Sequence, residues 1–327
     1  MRALTISRPG GPEVLEIRTV AEPVVGPDEV LVRVRASALN RADLLQRRGL
    51  YPAPPGAPPD IPGLEFAGEV EACGELVTTV QPGDRVMGIV GGGGHAEKLS
   101  LHERLCLRIP PGMSFEDAAA VPEAFLTAYD ALFLRGGLRP GEAVLLHAAG
   151  SGVGTAAVAI ATVAGARVVA LSRSADKRRG LETMGVQRVL DPAAPNVAEA
   201  IRMATGGEGV ALVIDVLGAS SFALNLEVLA VRGRLVLVGT MGGAKVDADL
   251  GALMRKRLTV IGTVLRSRPI EEKIELVQSF AGTMLPLLAS GRLHPVVDRV
   301  VPFEDAASAH AAMERNENFG KIVLRMS

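Results

Sequence analysis

Tryptophan is absent from the 327 residues, tyrosine occurs only at positions 51 and 129, and aromatic residues make up 3% of the chain. A nucleic-acid surface built on stacked bases needs a basic face set with aromatic rings, and the sequence supplies none. An excess of one charge is missing as well. The 35 basic and 36 acidic residues leave a formal net charge of −1, so no general field gathers nucleic acid or acidic lipid. Cysteine is limited to Cys73 and Cys106, with no Cys-x-x-Cys spacing, which argues against a disulfide framework and suits a reducing compartment. A cytoplasmic location is therefore expected. Long apolar runs are missing too: the longest, Ala156 to Leu171, is interrupted by Gly165 and Arg167, too short and broken to span a bilayer. The N-terminal Arg2-Ala3-Leu4-Thr5-Ile6 reads as a strand rather than a signal core.

What the chain has is apolar bulk. At 48% hydrophobic residues and 327 positions it exceeds the usual single core, and two domains are expected. Up to about residue 120 the pattern is short alternating runs such as Glu29-Val30-Leu31-Val32-Arg33-Val34-Arg35, punctuated by Gly and Pro. Tyr51 to Gly63 holds six prolines and reads as a rigid loop or the edge of a cleft. From about residue 125 strands alternate with helices: Ala143–His147, a helix from Gly154, Arg167–Leu171, a helix from Ala175, Arg188–Leu190, and a helix near Val197–Ala204. Ala211–Val216, a helix near Ser221–Leu229, Arg234–Gly239 and Leu258–Gly262 follow. Six strands with crossovers predict an α/β, doubly wound parallel sheet. After Thr263 the series stops: Glu271–Ser290 reads as helix, Pro295–Val301 as extended, Glu304–Arg315 as helix and Lys321–Arg325 as extended. These pieces are expected to complete the first module, giving one discontinuous domain at 1–124 and 265–327 and a contiguous one at 125–264.

The apolar strand Ala143-Val144-Leu145-Leu146-His147 runs into Ala148-Ala149-Gly150-Ser151-Gly152-Val153-Gly154 and then a helix-compatible run. Free N–H groups and the positive dipole end at such a helix start hold a pyrophosphate. The G-x-G-x-x-G fingerprint is met only at Gly154, because Ala149 and Ser151 stand at the other two glycine positions; the strand-turn-helix-strand spacing is what supports it. The bland alternative is a tight turn without ligand. Ser151 substitutes for a turn glycine or contacts the cofactor. The next strand ends in Ser172-Arg173-Ser174 with Lys177 one turn on, where NAD-selective folds carry an acid. These residues suit a 2′-phosphate, so the expected cofactor is NADPH.

The chain resembles the medium-chain dehydrogenase/reductase superfamily, and within it the zinc-free quinone oxidoreductases of the ζ-crystallin type. The motifs include Ala38-Leu39-Asn40-Arg41-Ala42-Asp43, Pro62-Gly63-Leu64-Glu65-Phe66-Ala67-Gly68, Pro82-Gly83-Asp84-Arg85-Val86, Pro122-Glu123-Ala124-Phe125-Leu126-Thr127-Ala128 and Gly320-Lys321-Ile322-Val323-Leu324. Ser151–Ala157 and Leu265-Arg266-Ser267-Arg268 are similar to its stress-inducible NADPH quinone reductase branch. The resemblance implies a Rossmann domain beside a discontinuous, GroES-like, β-rich catalytic domain. Zinc members carry Cys and His where this chain has Asn40 and Leu64, and no metal is expected.

The resemblance implies catalytic positions at Asn40, Tyr51, Asp43 and Ser151. It implies cofactor contacts from Asn40, Thr127, Gly150, Ser151, Gly152, Val153, Ser172, Arg173, Lys177, Leu217, Gly239, Thr240, Leu265 and Lys321. Asn40 and Asp43 also read as a turn amide and a helix cap. Hydride transfer needs positioning more than a Lewis acid, and quinones and activated enones are electrophilic enough unaided. The expected activity is NADPH-dependent quinone reduction. Enone or enoyl-thioester reduction is the alternative enzyme, and an NADPH-binding sensor or structural protein the alternative outside catalysis. By resemblance a homodimer paired near Leu258–Leu265 is expected, with no nucleic-acid or membrane partner.

Overall fold

The computed structural model describes residues 1–326, and contacts between residues divide the chain into two units: Met1–Leu126 with Leu265–Ser327, and Thr127–Val264. The contiguous unit is a six-stranded sheet in the order Arg188–Leu190, Arg167–Leu171, Ala143–Leu146, Val210–Asp215, Leu229–Leu237, Thr259–Gly262. Every neighbouring pair runs parallel. Strands of this kind are covered on both faces, and the sequence shows it: all four residues of Ala143–Leu146 are buried, with no polar alternation. The unit's first strand lies third in this order and its fourth lies beside it, so the winding reverses between Ala143–Leu146 and Val210–Asp215. Dinucleotides bind at that switch point in doubly wound sheets.

Local sequence chemistry sets the helix after the first strand. Ser151 caps it, its Oγ accepting from Gly154 N at 3.1 Å, and the helix runs Gly152–Val163, two residues earlier than the glycine spacing indicates. Ala156, Ala157 and Ala161 are buried against the sheet, where small side chains allow close approach. The helix ends in a Schellman turn: Gly165 takes φ 77°, its N–H bonds Thr162 O, and Ala166 N bonds Ala161 O.

The other unit is a seven-stranded sheet in which Lys321–Arg325 pairs antiparallel with Glu29–Ala38, so the chain's last strand completes a sheet that its first hundred residues begin. Glu29–Ala38 also pairs with Glu65–Cys73 and Lys98–His102. The stretch expected as one helix over 271–290 is two, Ile270–Thr283 and Leu285–Ala289, because Pro286 is tolerated only in a first turn. Among the described residues no helix is long and apolar enough to cross a membrane.

Candidate active site

In the discontinuous unit, Gly63 is a buried turn residue. It sits at φ +101°, and a Cβ there would lie 2.4 Å from His95 N, so the chain can pass only without a side chain. Two residues on, Glu65 starts its strand fully buried. Its Oε1 accepts from Lys321 Nζ at 2.6 Å and Asn40 Nδ2 at 2.8 Å, and its Oε2 accepts from Glu123 N at 2.8 Å. Burial pushes the Glu65 carboxyl up, while Lys321, Asn40 and the Glu123 amide pull against that. Lys321 Nζ also donates to Leu39 O and Asn40 Oδ1, both at 2.7 Å.

These contacts bring together three of the expected site residues. The Lys321 ammonium, expected at the cofactor, has three protons and three acceptors inside the protein. Asn40 has its amide nitrogen on Glu65 and its amide oxygen on Lys321. Asp43 Oδ2 accepts from Asn40 N at 2.7 Å and Oδ1 from Gly63 N at 2.9 Å, so it closes the start of the helix Arg41–Arg47 and ties it to the Gly63 turn. Beside it His95 is fully buried, its Nδ1 2.8 Å from Ser37 Oγ, and burial lowers its pKa.

Tyr51 is held by a residue to which the sequence reading gave no role. The Arg266 guanidinium lies 5.1 Å from the centre of the Tyr51 ring and donates to Tyr51 O, Gly91 O and Gln46 Oε1 at 3.2, 2.8 and 2.5 Å. Burial raises the Tyr51 phenol, with Arg266 opposing and Glu123 adding to the rise. Leu265, expected at the cofactor, is a buried apolar residue immediately before Arg266.

The donors present do not fit a catalytic zinc. Leu64 is buried and apolar, Asn40 is engaged at both ends, and the Lys321 ammonium already lies against the Glu65 carboxylate. Among the described residues no group of three or more His, Cys, Asp or Glu is placed to hold a metal ion.

The contiguous unit carries features that fit a dinucleotide. Ala148 takes φ 46°, turning the chain sharply, and a Cβ on Gly154 would meet Ala148 O at 2.5 Å. Gly154 therefore lets the helix pack on the turn, while the N–H groups of Gly152 and Val153, in its first turn, have no acceptor within the helix. The Lys177 side chain lies over the turn: a Cβ on Gly150 would meet its Cδ at 2.9 Å. The turn thus gathers Gly150, Ser151, Gly152, Val153 and Lys177. Ser172 is buried and Arg173 exposed. Arg178, which the sequence reading passed over, donates from Nη1 to both their carbonyls and to Asp191 Oδ2.

A second feature was also missed, a buried chain of hydrogen bonds from His147 Nε2 to Asn225 Oδ1 and from Asn225 Nδ2 to Asp215 Oδ2. Asp215 Oδ1 accepts from Leu217 N at 2.7 Å, fixing the strand-end turn. There Gly239 approaches Val216 O, and Thr240 approaches Gly218. Thr127 is buried in the helix Pro122–Tyr129.

Residues 152–281 match the family model described as zinc-binding dehydrogenase, and residues 26–111 that of the alcohol dehydrogenase GroES-like domain. The chain belongs to the medium-chain dehydrogenase/reductase superfamily, and is an oxidoreductase of that superfamily, whose members bind a nicotinamide cofactor. Among relatives, it is 35% identical over 320 residues to a quinone oxidoreductase of Pseudomonas aeruginosa, covering 96% of each chain. It is 34% identical to the human synaptic vesicle membrane protein VAT-1 homolog, covering 99% of this chain and 86% of that one. It is also 35% identical to a phthioceranic/hydroxyphthioceranic acid synthase of Mycobacterium tuberculosis, of which it spans only 15%. Among solved structures, an NAD-dependent alcohol dehydrogenase superposes over 100% of both chains with TM-score 0.88 and 33% identity. A mycobacterial protein complexed with NADPH does so at 0.88 and 29%, covering 99% of this chain and 100% of that one. The CurK enoyl reductase does so at 0.87 and 29%, covering 100% and 99%.

Proposed function

We propose that this chain is a metal-independent, NADPH-dependent reductase of quinones, acting in the cytoplasm as a homodimer. The observation that carries this reading is the Lys321 ammonium hydrogen-bonded between Asn40 and Glu65, with Leu64 beside them, a donor set without room for a Lewis acid. A site of this kind suits substrates that accept hydride unaided. The cofactor, when bound, supplies the hydride. The chain's own residues do the rest. The Gly152 and Val153 N–H groups receive the pyrophosphate, and Ser151 adds a hydroxyl at the same helix start. Lys177 with Arg173 and Ser172 takes the 2′-phosphate, and the turns at Leu217, Gly239 and Thr240 offer small or backbone groups to the dinucleotide. Arg266 fixes Tyr51, whose hydroxyl is offered to the substrate carbonyl.

A second reading, enoyl reduction, is favoured by the likeness to the CurK enoyl reductase. The deciding experiment follows loss of NADPH and of NADH absorbance with ortho- and para-quinones, simple enones and crotonyl thioesters, before and after dialysis against a chelator. The expected result is quinone turnover with NADPH, unchanged by the chelator. Turnover confined to the thioester would establish the enoyl reading, loss of activity on chelation would overturn metal independence, and NADPH binding without turnover would point to a sensor.

A further inference from the structure

Two carboxylic acids lie side by side in the discontinuous unit, and the fold treats them differently. Glu65 receives three hydrogen bonds, all from donors, one of them an ammonium 2.6 Å away. That is the bonding pattern of an ionised carboxylate. Glu123 follows Pro122 at the start of its helix, and its backbone N–H donates to Glu65 Oε2, which fixes the two residues against each other. Its own carboxyl takes part in no hydrogen bond among the described residues. Glu65, Asp43, Lys321 and Arg266 face it, and Tyr51 and Lys273 feel its charge in turn.

The ammonium beside the pair has its protons on Glu65, Asn40 and Leu39. Burial and the Glu65 charge push the Glu123 carboxyl up to about 8, with Lys321 and Arg266 opposing. The residue is nonetheless half-buried rather than sealed, so a ligand can reach it. Paired acids whose surroundings drive them apart mark an acid and its ionised neighbour.

We propose that Glu123 is the catalytic acid of the reduction, its unbonded carboxyl, held beside Glu65, giving the proton that completes conversion of the substrate carbonyl. The inference rests on the reductase reading. As the substrate accepts a hydride from the reduced nicotinamide, the electron pair of its conjugated system moves onto the carbonyl oxygen. That oxygen forms a bond to the Glu123 proton as the carboxyl O–H breaks. Glu123 is left as a carboxylate and takes a proton from water before the next turnover. A quinone yields its hydroquinone this way, and an enone its enol.

The test combines infrared spectroscopy of the protein alone with pH-dependent kinetics on 9,10-phenanthrenequinone and NADPH. Wild type is expected to show a protonated-carboxyl band at neutral pH that titrates near pH 8 and is missing from Glu123→Gln. Glu123→Gln should lower kcat by about 100-fold and remove the decline in kcat as Glu123 ionises above pH 8, with the Kd for NADPH unchanged. Glu123→Asp should restore part of both the rate and the alkaline limb. An active wild type with an unaltered rate and pH profile in Glu123→Gln would overturn the role of Glu123 alone, as would a band that survives the substitution. A wild type inert toward every acceptor would instead overturn the reductase reading and the catalytic role with it, whatever the infrared band shows.

Discussion

Arg266 carries a full charge to a place where 5% of the residue meets solvent, and burial pulls its guanidinium below the ordinary value. Its planar fork reaches three acceptors in different segments, Gln46 in a helix, Tyr51 at the start of the proline-rich loop, and Gly91 in the glycine run. A lysine cannot reproduce that fork. Arg266→Lys should therefore leave buried acceptors unpaired at a cost of roughly 1–3 kcal/mol, seen as a lowered Tm, and should loosen Tyr51. Steady-state kinetics should show kcat/KM for quinone falling while KM for NADPH holds. Unchanged quinone kinetics would make Arg266 a structural pin only. At this scale the sequence was legible in part. Asn40 and Asp43 stand out because a turn amide and an acid three residues on form a capping signature. Glu65 and Glu123 each sit in apolar runs where only a three-dimensional partner explains a charge, and Arg266 follows a buried leucine with nothing local to mark it; the motifs that contain the three residues gave no role to any of them.

The element that matters most is the turn from Ala143–Leu146 into the helix Gly152–Val163. Its two close approaches differ in what must yield. At Gly154 a Cβ meets Ala148 O and Ala149 backbone within 2.6 Å, whereas at Gly150 it meets the flexible Lys177 side chain. Gly154→Ala should accordingly push the helix off the turn, lowering Tm and weakening binding of NADPH and NADH alike. Gly150→Ala should fold normally and displace Lys177, costing about tenfold in NADPH affinity with little change for NADH. Fluorescence titration with both nucleotides separates the two cases, and equal losses with Gly150→Ala would remove Lys177 from the 2′-phosphate. Element identity was readable from periodicity because buried parallel strands are continuous apolar runs. Two helix boundaries were not: the Ser151 cap shifts the first turn back to Gly152, and Pro286 divides a helix that composition alone joins, whereas the helices at Ala175 and Val197 begin where the pattern places them.

At the scale of the whole molecule the parallel sheet ends in two unlike edges. Arg188–Leu190 is three residues long and begins with an arginine, a protected edge. Thr259–Gly262 is paired on one side only, and exposed apolar groups surround it: Val260 is 40% exposed, Val264 48%, and Met254 in the preceding helix 78%. Such an edge invites a second copy of itself, so light scattering should give twice the 34.1 kDa chain mass. Val260→Asp should yield the monomer, and a monomeric wild type would remove the proposal. The sequence by itself determined the alternation of strands and helices and the doubly wound sheet, because both are written in periodicity and in turn residues at short spacing. Only the tertiary structure decided which charges meet. Lys321 reaches Glu65 across 256 positions and Arg266 reaches Gln46 across 220, and no local pattern encodes a contact between residues that only the folded chain brings together.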